Sequence, residues 1–88
     1  MKAKEGFVMR TIVDEYMIMP TGSNISHFDG TVVLNGVSAF LWERLQQPVT
    51  QEELLNALLE EYDVSREVAE KDLEALLQKF TELGLLDR

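Results

Sequence analysis

At Asn35 the chain changes its period. Before it, the runs "FVMRTIVD" (7–14), "EYMIMP" (15–20) and "TVVL" (31–34) are rich in β-branched, aromatic and Met residues and read as strands. After it, apolar residues recur at helical spacing nearly to the end. Strands first and helices after predict an α+β fold with segregated elements: a three-stranded antiparallel sheet followed by three helices. The 88 residues suit a single domain spanning 1–88, with residues 1–6 as a loose start.

Local signals fill in this outline. Asp14-Glu15 is a plausible tight connection for a hairpin, and Pro20, lacking a ladder donor, ends its second strand. Asp29-Gly30 marks a turn before the third strand. Asn35 suits a helix N-cap because its side-chain oxygen can accept an orphan amide hydrogen bond. Helix one is expected from Gly36 to about Gln47, before Pro48, with Val37, Phe40, Leu41 and Leu45 inward and Trp42 in the core. Thr50 and Glu53 form a capping box for helix two, which runs to about Tyr62. Its apolar side carries Leu54, Leu55, Leu58, Leu59 and Tyr62. Ser65 caps helix three, which reaches about Leu83 and stops at Gly84 as C′.

Two of these elements are more apolar than a simple core requires. A half-buried strand alternates apolar and polar residues, yet Val32, Val33 and Leu34 are apolar on both faces. Around helix three, counted from Val68 at about 100° per residue, Leu83, Leu76, Ala69, Phe80, Leu73 and Leu77 cover an arc of about 180° with Val68 at its margin. A helix packed on one side needs a stripe of somewhat over about 100°. Either helices one and two both pack on this arc, or part of it lines a groove, with Asp72 at the margin. If the third strand lies at an edge, residues 31–34 offer unpaired backbone groups with no charge or Pro to blunt them. Such an edge is a candidate for β-augmentation by a peptide.

Charge and composition exclude several classes. The net charge is −8, and residues 50–88 carry eleven of the sixteen acidic side chains. That surface repels phosphate backbones and anionic membranes, and suits either solubility or a basic partner. No export signal or apolar membrane span is evident. The absence of cysteine removes disulfides and thiolate chemistry and fits a reducing cytoplasm. His27 is the only histidine, so no metal site is expected. The carboxylates of the helices read as solvated charge, and no phosphate-binding loop or nucleophile elbow is present. Three of the four Met residues fall on the hairpin or at its strands, as adaptable packing or binding surface. No catalytic constellation and no cofactor site emerges, which favours a binding module over an enzyme.

The stretches "LNGVSAFLWERL" (34–45) and "TQEELLNALLEEYDVSREVAEKDLEALLQKFTELGLL" (50–86) resemble the coenzyme PQQ synthesis protein D family, whose fold is also called the RiPP recognition element. Tyr62-Asp63-Val64, Asp72-Leu73, Leu76-Leu77 and Gly84-Leu85-Leu86 fit its pattern, and the likeness covers about residues 7–87. It implies a winged helix-turn-helix-like fold that binds the leader of a ribosomally made precursor peptide. A separate modifying enzyme, such as a radical SAM maturase, then acts on the rest of that peptide. The leader would add as a strand along the backbone of Thr31, Val32, Val33 and Leu34, in a cleft against helix three. The residues of that helix which the resemblance offers are Val68, Asp72, Leu73, Leu76 and Phe80. "LNGVSAFLW" (34–42) is closer to the broad family than to the quinone-pathway member, so the product could be a quinone precursor, a thioether peptide or a lasso peptide.

Two other functions compete. An unprotected edge can pair with a second copy, giving an oligomerisation module or a strand-exchanged dimer instead of a monomer. A winged-helix nucleic-acid binder would need basic residues on helix three, where Arg66, Lys71 and Lys79 face an acidic majority.

Overall fold

A computed structural model describes residues 1–22 and 32–87. Among them the elements are β1 (Lys2–Ala3), β2 (Phe7–Ile12), β3 (Glu15–Pro20), β4 (Val32–Leu34), α1 (Gly36–Arg44), α2 (Gln51–Glu61), α3 (Arg66–Glu82) and β5 (Leu86–Asp87). β2, β3 and β4 form an antiparallel sheet in that spatial order, and β1 pairs with β5 in a separate ladder. The expected three-stranded antiparallel sheet followed by three helices is present, with the β1–β5 ladder added to it.

Ile12 pairs with Glu15, so the hairpin turns through Val13 and Asp14, one residue earlier than expected. Val13 takes φ +58, which the two-residue turns that match strand twist require at their first central position. Register decides the turn here against local preference, since a β-branched residue is strained at positive φ. Directly opposed residues share a face of the sheet. Met9, Ile18 and Val32 lie on one face with Thr11, Tyr16 and Leu34. Ile18 and Leu34 are buried there against the helices. Arg10, Met17 and Val33 lie on the opposite face, where Val33 is 55% exposed.

Each helix starts on the residue its cap dictates. Asn35 Oδ1 accepts from the Ser38 amide at 2.8 Å. Thr50 and Glu53 close the capping box reciprocally, and Ser65 Oγ accepts from the Val68 amide. α1 ends at Arg44, about three residues before the expected Gln47. Its inward face is Ser38, Ala39, Leu41, Trp42 and, just beyond it, Leu45; Val37 is 36% exposed and Phe40 only half-buried. Trp42 sets this rotation, because its ring meets Phe80 edge-to-face at 5.7 Å in the core. α3 ends in a Schellman motif: Gly84 at φ +78 lets its own amide bond the Thr81 carbonyl and the Leu85 amide bond the Phe80 carbonyl.

The start of the chain is not loose. Ala3 pairs with Leu86 and is buried. Its amide donates to the Leu45 carbonyl at 2.8 Å, the Lys4 amide to Leu85, and the Val49 amide to Met1. The stretch "MKAKEG" carries no apolar period, yet backbone hydrogen bonds, the buried Ala3 and the Met1 side chain packed on the core hold it.

Candidate functional site

The hydrogen-bonding phase of the sheet locates its open edge. In an antiparallel pair, residues that exchange bonds alternate with residues whose N–H and C=O point away. The turn makes Ile12 and Glu15 a bonded pair, and the Thr21 amide bonding the Gly6 carbonyl at 2.8 Å lies in the same phase. Met17 therefore spends its groups on β2, while Tyr16 and Ile18 turn theirs to β4. These two oppose Leu34 and Val32. Val33 opposes Met17, so its N–H and C=O point away from β3, at the outer edge of the sheet. Among the described residues no strand pairs with that edge.

β4 leads through Asn35 into a trough between α1 and α3. Its wider compartment, about 410 Å³, is lined by Asn35, Val37 and Ser38 on one side and Asp72, Ala75, Leu76 and Lys79 on the other. A narrower one, about 80 Å³, adjoins it through Val37 and Asp72 and is otherwise lined by Leu58, Tyr62, Val64 and Ala69. The wide apolar arc of α3 is thereby divided. Ala69, Leu73, Leu77 and Phe80, at about 100° to 180° from Val68, are buried. Asp72, Leu76 and Lys79, at about 20° to 80°, line the trough.

The expected residues separate accordingly. Asp72 and Leu76 line the trough. Val68 is 48% exposed on the same margin of α3 but does not line either compartment. Leu73 and Phe80 correct the expectation: at 1% and 0% exposure they are core side chains, because the rings and leucines of the helical layer close over that side of α3. Val32 and Leu34 face the core, and Val33 faces outward on the sheet surface away from the helices, not into a cleft as its double-sided apolarity suggested. Thr31 lies outside the described residues. Asn35, Val37, Ser38, Ala75 and Lys79 were not anticipated. Val37, expected inward with Leu41 and Leu45, lies at the margin of that stripe, about 140° around α1 from Trp42, and is left 36% exposed.

The charged groups around the helices are mostly structural. Arg66 bonds Glu52 at 3.0 Å and Glu70 at 2.9 Å, and these carboxylates raise its pKa further. Hydrogen bonds from Thr50 hold Glu53 below the usual carboxylate range. Asp72 and Lys79 make no side-chain hydrogen bond or ion pair among the described residues. No cluster of metal-ligating side chains and no helix long and apolar enough to cross a membrane occurs among them.

Comparison with known proteins gives the fold and the family. The structure of TbiB1 in complex with the TbiA(beta) leader peptide superposes with a TM-score of 0.80 at 26% identity, covering 99% of this chain and 95% of that one. A lasso peptide synthetase B1 complexed with the leader peptide gives 0.74 at 21% identity, covering 96% and 93%, a likeness of fold. No curated protein matches. The family model described as coenzyme PQQ synthesis protein D matches residues 15–86, and the chain belongs to that family.

Proposed function

We propose that this chain is a non-catalytic adaptor that binds the leader of a ribosomally made precursor peptide and presents it to a separate modifying enzyme. The leader adds as a strand on the outer edge of β4 and continues into the trough between α1 and α3. One observation carries this reading: the outward N–H and C=O of Val33 open beside the trough that starts at Asn35. Family membership and the leader peptides bound to TbiB1 and to the lasso peptide synthetase B1 support it. The work takes place in the cytoplasm, needs no cofactor of its own, and hands the peptide to a radical SAM or similar maturase. The strand contribution is the outward backbone N–H and C=O of Val33, since those of Val32 and Leu34 are taken by β3, with Thr31 proposed to extend the same edge; the side chains are Asp72 and Leu76, with Val68 flanking them.

The test is a titration of isotopically labelled protein with the leader of the precursor encoded nearest its gene. Amides of residues 32–38 and of α3 from Asp72 to Lys79 shift if the reading holds; responses confined to other elements, or none, overturn it. Light scattering run alongside separates it from self-association, since a dimer indifferent to the leader would assign the edge to a second copy. A nucleic-acid role is not favoured. Arg66 is already held by Glu52 and Glu70, and Lys71 and Lys79 stand among five acidic side chains on α3.

A further inference from the structure

The two compartments of the trough differ in chemistry, and their charges are ordered. The narrow one is apolar apart from Asp72 at its junction with the wide one. Its volume, about 80 Å³, is roughly half the 150 Å³ apolar cavity that accepts a benzene ring. It is the size of a single branched aliphatic side chain. Asp72 and Lys79 are the charged residues lining the wide compartment, and neither is committed to a partner within the described residues. They stand seven positions apart, about 10 Å along the axis of α3. An extended peptide covers that distance in about three residues.

Resting on the peptide-binding reading, we infer that the trough selects its peptide by an ordered signature. The signature is a Val, Leu or Ile side chain in the narrow compartment, a Lys or Arg beside it at Asp72, and an Asp or Glu about three residues further on at Lys79. The order matters more than the net charge. The chain carries −8 overall, so a generally basic peptide would be attracted anywhere on it. Only a peptide with an acidic group at the far position satisfies Lys79 as well. The reversed order sets like charge against like at both ends of the trough, which penalises wrong partners.

The test selects a phage-displayed library of random peptides on the full chain and on the double variant D72K/K79E. Both positions are exposed on α3, so the fold is expected to survive, and circular dichroism checks this. The wild type should enrich aliphatic residues flanked in the stated order. The double variant should keep the aliphatic preference and invert the charges. The leading peptide and its charge-reversed copy, measured by fluorescence anisotropy, should differ about ten-fold in affinity for the wild type, with the preference reversed in the variant. Enrichment of the same peptides by both proteins, or of aromatic anchors, overturns the inference. Val33→Pro separates the two levels. If a selected peptide binds without charge order but is lost in V33P, the signature fails and the edge-binding reading stands. If nothing is enriched, or V33P changes nothing, the edge-binding reading fails and takes the signature with it.

Discussion

β4 and β5 are both very short, and they end in opposite situations. β5 finds its partner in β1, and Leu85 and Leu86 beside and within it are 0% and 1% exposed. β4 has β3 on one side only, and Val33 is 55% exposed. Length does not separate them, and the more apolar of the two is the one left open. What does is the supply of backbone partners: the Schellman turn at Gly84 aims β5 at the start of the chain, whereas no described strand reaches the outer edge of β4. The same division runs along α3, whose Ala69–Leu73–Leu77–Phe80 side is core while Asp72, Leu76 and Lys79 line the trough. An edge can stay open for a ligand because the core is closed without it.

The comparison breaks if the two regions do not respond separately. The largest effect is expected at the closed side. Phe80→Ala removes the ring that meets Trp42 and should cost about 3–5 kcal/mol in a urea titration. Where that variant fails to fold, Phe80→Leu should show a smaller loss of the same sign. Val33→Pro comes next. Its lost N–H is not bonded to β3, so the urea midpoint should move little while leader affinity falls at least about ten-fold. Melting of the sheet instead would mean that the phase derived for β4 is wrong. Leu76→Ala should cost less than about 1 kcal/mol of stability yet weaken the leader several-fold, since it is half-buried and lines the trough.

Much of this division is legible in the sequence. The caps at Asn35, Thr50 and Ser65 and the stop at Gly84 are local hydrogen-bonding preferences, and each lies where the residue types put it. The excess apolar arc of α3 was also visible. Which part of it faced a groove was not, because helical periodicity gives angles around an axis and not what stands opposite. The wheel alone therefore does not separate Leu73 and Phe80, which are buried in the core, from Leu76. The rotation of α1 was missed for the same reason: Val37 and Trp42 compete for the inside, and the larger ring takes it. The order at Lys2–Ala3 had no sequence signature, since its bonds are made by backbone groups with distant carbonyls at Leu45 and Leu85.

The smallest predicted effect uses pH to address the closed side alone. The Thr50 amide donates to Glu53 Oε1 at 2.9 Å, and the Thr50 hydroxyl accepts from the Glu53 amide at 3.1 Å. Thr50 thereby holds the Glu53 carboxyl below its ordinary value of 4.5, at a helix N-terminus that also favours negative charge. A group whose pKa is depressed by folding stabilises the fold above its unfolded value and loses that contribution as the pH falls through the depressed one. Glu53→Gln keeps an acceptor oxygen for the cap but removes the charge. The wild type should therefore melt slightly higher than E53Q at neutral pH, and the gap should close as the pH falls below 4.5. Leader affinity at neutral pH should be the same in both, because Glu53 does not line the trough. A gap that persists in acid would assign the effect to packing rather than charge. A change in leader affinity would mean that the start of α2 and the trough are coupled, and the separation of closed and open regions would fail at that point.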